Sequence, residues 1–239
     1  MGVHGIAQIV SDFLEETPWR PLPTRTRVLI DGSGWAFHLL AGLPRHHGGD
    51  YSELAARVGE VLEEMEQAGL QCEVWWDGRR TRMKARTKKK RAEDRLEEER
   101  RLFQYCVDGA THISQDSLPP PPMFTVCVRN TLKRIGVRQV LCEFEADPAM
   151  AAESAATGAL VYGLDSDFIF MEGCRYVPFG FVKPSSGGET GMRAKVLTRE
   201  ALAKSFEVDE PVLVEWAIFL GNDFTGPLIQ RGKDPRRQW

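Results

Sequence analysis

No apolar run in this sequence approaches the roughly 20 residues needed to cross a bilayer, and no basic region followed by an apolar stretch opens it. Neither a membrane span nor a signal peptide is therefore expected. Cysteine is sparse: Cys72, Cys106, Cys127, Cys142 and Cys174 are odd in number and show no CxxC spacing. That pattern excludes a disulfide framework and a zinc site, and it points to reduced intracellular thiols. Gly-rich phosphate loops of the forms GxxxxGK[ST] and GxGxxG are missing, which argues against a nucleotide-dependent transferase. Ile6 stands where N-myristoylation needs Ser or Thr. No internal repeat is present.

What remains is ample for one core and small for two. At 239 residues, 42% hydrophobic and 27% charged, the chain reads as one domain. Short β-rich runs, Arg27–Ile30, Cys72–Trp76, Val137–Cys142 and Ala159–Gly163, alternate with helix-like segments over 52–69, 123–135, 148–157 and 211–220. In the first of these segments Leu54, Val58, Val61, Leu62 and Met65 recur at helical spacing. The alternation predicts an α/β fold with a mainly parallel sheet covered on both faces. Residues 79–105 read as a highly charged helix, and 106–122 as a loop closed by Pro119–Pro122. A second exposed loop is expected around Gly187-Gly188.

The net charge of −3 hides an asymmetry. Arg79 to Arg101 holds twelve Lys or Arg against five Asp or Glu. This local excess of seven positive charges leaves the rest of the chain with ten negative charges in excess. A basic strip on an acidic body suits a polyanionic partner, together with a cation that tolerates clustered carboxylates.

The acids are placed with unusual regularity. Asp31 follows Val28–Ile30, Asp77 follows Val74–Trp76, Glu145 and Asp147 follow Val140–Cys142, Asp165 and Asp167 follow Leu160–Leu164, and Asp223 follows a helix ending at Leu220. Parallel strands deliver their carboxyl ends to one edge of the sheet, where such folds bind ligands. The two i, i+2 pairs put both side chains on one side of an extended chain. Clustered carboxylates stay ionised only beside cations, and hard oxygen donors select Mg²⁺ or Mn²⁺. Two such ions are the usual device for in-line attack on a phosphodiester. Taken singly, each acid also has an ordinary reading. Asp31-Gly32 and Asp77-Gly78 fit turns, Asp147 before Pro148 fits a helix N-cap, Asp165 and Asp167 fit a turn and a cap, and Asp223 fits a loop.

In order along the chain, these segments resemble the XPG/flap-endonuclease superfamily with its PIN-like nuclease fold, and especially its Asteroid-like branch. The resemblance rests on Met1–Ile6, Ile30-Asp31-Gly32, Trp76-Asp77-Gly78, Phe144-Glu145-Ala146-Asp147, Leu164–Phe168 and Leu220–Asp223. It implies a three-layer α/β/α nuclease domain over 1–226, a basic helix and proline-rich loop inserted at 79–122, and a basic tail at 227–239. It also implies that Asp31, Asp77, Glu145, Asp147, Asp165, Asp167 and Asp223 hold two Mg²⁺ or Mn²⁺ ions. Asp147 stands where the family commonly has Glu, which shortens one ligand arm.

Relatives hold the scissile phosphate with a lysine and an arginine from the helix after the second acid, and Lys84 and Arg91 occupy the matching places. Their i, i+7 spacing would turn both toward one side of a helix. With Asp31 and Asp165 they form the expected catalytic set. Lys88, Lys89 and Lys90 extend the phosphate-contacting strip, while the Glu97–Glu99 stretch is expected to pair internally with Arg95–Arg101. Phe37 matches an aromatic that stacks on a terminal base in relatives, although with Trp35, Leu39 and Leu40 it also reads as the core side of the first helix. Gly2 lies where the amino terminus of relatives approaches nucleic acid.

The sequence departs from the family after Asp223. Flap endonucleases continue into a glycine-containing helical motif that grips duplex DNA, whereas this chain stops sixteen residues later. It is either a fragment or a chain that grips duplex through other surfaces. The short, proline-rich segment Cys106–Pro122 does not match the arch that threads single-stranded flaps.

The expectation is an intracellular, nuclear, metal-dependent nuclease that cuts branched or single-strand-containing DNA and acts in DNA repair, with no membrane partner. The rival expectation is an inactive module of the same fold that binds protein or RNA.

Overall fold

A computed structural model describes residues 6–43, 45, 49–79, 85–108, 118–185 and 191–220, the side chains of 6–8, 85–88, 91, 106 and 220 excepted. Helix α1 (Ile6–Glu16) and the short strand β1 (Arg20–Pro21) lead into β2 (Arg27–Asp31), α2 (Gly32–Leu39), α3 (Tyr51–Gln67) and β3 (Gln71–Trp76). Then come α4 (Ala85–Val107), α5 (Phe124–Ile135), β4 (Arg138–Leu141), α6 (Ala146–Thr157), β5 (Leu160–Gly163) and a 3-10 helix (Ser166–Phe170). Strands β6 (Arg175–Pro178), β7 (Val182–Pro184) and β8 (Met192–Ala194), then α7 (Arg199–Ser205) and α8 (Glu210–Leu220), complete the described part.

Five strands form an all-parallel sheet in the order β4-β3-β2-β5-β6. Val28, Leu29 and Ile30 are all but inaccessible to water, as a central parallel strand requires when helices cover both faces. Alternation then divides the strands between two cores. Val28, Ile30, Val74, Trp76, Leu160, Tyr162 and Val177 pack with α2, α3 and α5. Leu29, Val161 and Tyr176 face the other way, among α1, α6, α7 and α8. Burying each such side chain contributes about 1.5–3 kcal/mol. The result is the expected three-layer α/β/α architecture.

Chain order runs from β2 through β3 to β4 on one side, then returns past β2 to β5 and β6 on the other. The strand order therefore reverses between β2 and β5, and the crevice at their carboxyl ends is the natural ligand site of such a fold. A smaller antiparallel sheet, β1-β8-β7, closes one flank. This sheet, β6, α1 and α7 were not expected from the sequence.

Three sequence expectations are corrected. The charged helix does not begin at residue 79, because the Gly78 and Arg79 amides are engaged by the Phe144 and Glu143 carbonyls. At its other end, α4 runs on to Val107, past the expected loop start at 106. Asp147 is not an N-cap: α6 starts at Ala146, with Glu145 at the cap position. Nor does the extended i, i+2 geometry hold, since Asp147 lies inside α6 and Asp167 inside the 3-10 helix. The expected loop at Gly187-Gly188 lies outside the described residues. Among the described residues no helix is long and apolar enough to cross a membrane, and Cys72, Cys127, Cys142 and Cys174 are free thiols.

Candidate metal and nucleic-acid site at the carboxyl edge

Asp31 ends β2 at the reversal of the sheet. Its Oδ1 accepts from the Ser33 amide and its Oδ2 from the Gly34 amide, both at 3.1 Å, so it also caps α2. The fit is close, because a Cβ added at Gly34 would run into Asp31 Oδ2. Burial pushes the Asp31 carboxyl up to about 6; the two amides oppose the shift, and the charge of Asp77 adds to it. A carboxylate whose charge is resisted by burial and by a second acid is one that a cation would stabilise.

Asp77 leaves the end of β3 and crosses to the next strand's exit. Its Oδ1 accepts from the Ala146 amide at 2.9 Å, which supplies the cap that Glu145 does not. Gly78 permits this crossing. Its amide donates to the Phe144 carbonyl at 2.6 Å, and Arg79 donates to the Glu143 carbonyl at 2.8 Å. A Cβ at Gly78 would collide with the Cys142 carbonyl oxygen. The turn after β3 is thus stitched to the turn after β4, which brings Asp77 to the start of α6.

Asp165 follows β5, and its Oδ1 accepts from the Asp167 amide at 3.1 Å, capping the 3-10 helix. Beneath it, the buried Tyr176 hydroxyl donates to the Gly163 carbonyl at 3.4 Å. Burial raises the Tyr176 pKa first, and then the charges of Asp165, Asp31 and Asp167 raise it further. Burial likewise raises the Cys142 thiol, with Asp77 and Asp147 adding to the shift. One phenol therefore senses three of the acids, one thiol senses two others, and Asp31 senses Asp77. Acids from separate strand ends share one electrostatic neighbourhood.

Among the described residues no three His, Cys, Asp or Glu side chains are grouped closely enough to hold a metal ion. The donor set, hard carboxylate oxygens alone, has the chemistry that fits Mg²⁺ or Mn²⁺.

Gly2, Lys84 and Asp223, and the side chains of Lys88 and Arg91 within α4, lie outside the described residues. Lys89 and Lys90 are exposed, and Lys89 pairs loosely with Glu93 at 3.7 Å. Further along α4, Arg101 pairs with Glu97 at 3.5 Å, the internal pairing expected of that stretch. Phe37 separates from its neighbours. Trp35, Leu39 and Leu40 are buried, whereas Phe37 is 44% exposed and stands edge-on to Phe124 with ring centroids 4.8 Å apart. It lines a cleft of about 340 Å³ with Arg45, Arg95, Leu102 and Pro119, and with three acids, Asp94, Glu98 and Glu99.

Solved structures share this architecture. The catalytic core of Rad2 in complex with DNA substrate is 18% identical, with a TM-score of 0.63 over 98% of this chain and 66% of that one. Flap endonuclease-1 from Methanococcus jannaschii is 17% identical, with a TM-score of 0.59 over 99% and 75%. Human GEN1 in complex with Holliday junction DNA is 14% identical, with a TM-score of 0.58 over 94% and 53%. The fold is the PIN-like fold of the XPG and flap-endonuclease cores. This chain spans 66% of the Rad2 core's length and about half of GEN1's. No family model matches the sequence, and no curated protein matches it significantly.

Several contributors escaped the sequence reading. Gly78 looked like a turn residue and Gly34 was not singled out, yet both are points of close approach that seat Asp77 and Asp31. Tyr176 lies on a strand that the sequence did not announce.

Proposed function

We propose that this chain is a metal-dependent, structure-selective nuclease of the XPG/flap-endonuclease superfamily, of the Asteroid-like branch, acting on branched or single-strand-containing DNA. The observation that carries the reading is the delivery of acids by successive parallel strand ends to the reversal point of a sheet whose fold is shared with DNA nucleases. Asp31, Asp77, Glu145, Asp147, Asp165 and Asp167, with Asp223, would hold two Mg²⁺ or Mn²⁺ ions. Bound there, such ions lower the pKa of an attacking water and stabilise the leaving oxygen. A GEN1 structure in complex with product DNA and an Mg²⁺ ion supports that assignment.

The chain's own groups would orient the substrate. Lys84 and Arg91 would neutralise the charge that grows on the phosphate, Lys88, Lys89 and Lys90 would track the backbone, and Phe37 would stack on a base beside the amino terminus at Gly2. Recognition would rest on shape and phosphate rather than base edges. The basic run Lys88–Arg91 would also serve nuclear import, consistent with a role in DNA repair.

The test is incubation with end-labelled flap, hairpin and linear DNA, with and without Mg²⁺ or Mn²⁺. Metal-dependent cutting that disappears in Asp165→Asn is the expected result. The second reading is a non-catalytic module of the same fold that binds protein or RNA. It predicts binding without cutting on every substrate.

A further inference from the structure

The opposite end of the main sheet, where its strands begin, holds a second concavity. A cleft of about 540 Å³ opens between β1, the starts of β2, β5 and β6, and the segment entering α7. That volume is in the range of small-molecule sites. Its lining includes Arg20, Arg25, Arg27 and Arg175, and no carboxylate.

The arginines are not equivalent. Arg27 is already neutralised by Glu73 at 2.9 Å and Glu153 at 2.7 Å. Arg175 gives one nitrogen to the Gly158 carbonyl at 2.6 Å, closing the end of α6. Among the described residues no carboxylate pairs with Arg20, Arg25 or Arg175. Three guanidinium groups around one hollow create a positive potential focused by its low-dielectric walls. Pro21, Leu22, Pro23, Val196 and Ala201 supply an apolar side to the same hollow.

Arg25 adds an independent sign. Its φ is +65°, a left-handed conformation that favours glycine and is costly for a long side chain. The turn is fixed by its amide, which donates to the Gly69 carbonyl at 2.6 Å, and by Thr26 Oγ1, which donates to the Pro23 carbonyl at 2.6 Å. Glycine would make this turn without strain. Backbone strain retained for a particular side chain is a mark of function.

We propose that this cleft binds a phosphate-bearing ligand of nucleotide size, with Arg20, Arg25 and Arg175 taking the phosphates and the apolar wall taking the rest. Planar guanidinium forks suit phosphate oxygens. The ligand is either a free nucleotide or one nucleotide unit of a strand. The site is on the edge of the sheet remote from the acids and does not depend on their assignment.

Calorimetric titration of the chain with ATP, and separately with single-stranded oligothymidylate, tests this in EDTA at low salt, where no divalent cation can bridge phosphate to the acids. At least one probe should bind, and Arg25→Gly should weaken binding on the order of tenfold without lowering the thermal midpoint, because glycine relaxes the turn. Arg20→Gln should weaken it comparably, and Asp165→Asn should leave it unchanged. Binding of ATP assigns a free nucleotide, and binding of the oligonucleotide alone assigns a strand. Failure of both probes, affinity untouched in both arginine variants, or binding abolished by Asp165→Asn would overturn the assignment.

Discussion

The Asp77 carboxylate accepts the Ala146 amide at 2.9 Å, so the exit of one strand caps the helix that follows its neighbour. The same acid is proposed to ligate metal, and the two roles can be separated. Asp77→Asn keeps an acceptor oxygen and should unfold in urea within about 0.5 kcal/mol of the parent, whereas Asp77→Ala should cost about 1 kcal/mol. Both should lose DNA cleavage. An asparagine variant that cuts at the parental rate would remove Asp77 from the metal set.

Gly78 is pressed against the Cys142 carbonyl. Gly78→Ala has to force the two turns apart, at a cost of about 1–3 kcal/mol, and it shifts Asp77 away from Ala146. A lowered urea midpoint with an unchanged m-value is the expected result. An unaltered midpoint would show that the two turns separate freely.

Asp31 makes the metal-free fold pH-sensitive. Its carboxyl titrates at about 6 in the folded chain, against about 3.9 when unfolded. Below pH 4 both states are protonated and the group contributes nothing. As the pH rises from 4 to 6 the unfolded state releases its proton first, so stability falls; above 6 the loss is complete, roughly 3 kcal/mol as an upper bound. Chemical unfolding in EDTA across this window should show the decline, and Asp31→Asn should flatten it. A parent curve that is flat from pH 4 to 6 would mean that Asp31 ionises as freely folded as unfolded.

Divalent cations should act in the opposite sense. If the acids at the strand ends share bound ions, Mn²⁺ or Mg²⁺ at neutral pH raises the thermal midpoint in a saturable way. The double variant Asp31→Asn, Asp165→Asn should show no such rise. A parent chain indifferent to both ions would favour the non-catalytic reading.

Much of this organisation was legible because hydrophobic runs and the acids after them are local signals. Arg27–Ile30, Cys72–Trp76, Val137–Cys142 and Ala159–Gly163 all became parallel strands, and helices α3, α5, α6 and α8 fell within two residues of expectation. Strand β6 was missed because Arg175–Pro178 ends in proline and shows only two buried residues. The small sheet was missed because two- and three-residue strands carry no periodicity. At the site, the acids could be read from their positions, but their hydrogen bonds could not. The amide that engages Asp77 belongs to Ala146, which the sequence leaves featureless. The arginine-lined cleft was invisible for a similar reason, since Arg20, Arg25 and Arg175 meet only after the sheet has formed.

Strand β2 lies at the middle of the sheet, yet it leaves the ribosome before any of its partners. It can pair with β3 early, but Val28 meets Leu160 only once β5 has emerged. Until then one apolar margin of the nascent sheet is uncovered, and the intervening helices have no completed floor to settle on. Such late, non-local pairing slows maturation and leaves partial chains open to aggregation. Translation stalled or terminated before Gly163 would therefore yield a product fit for chaperones and proteases, with no partial activity to preserve.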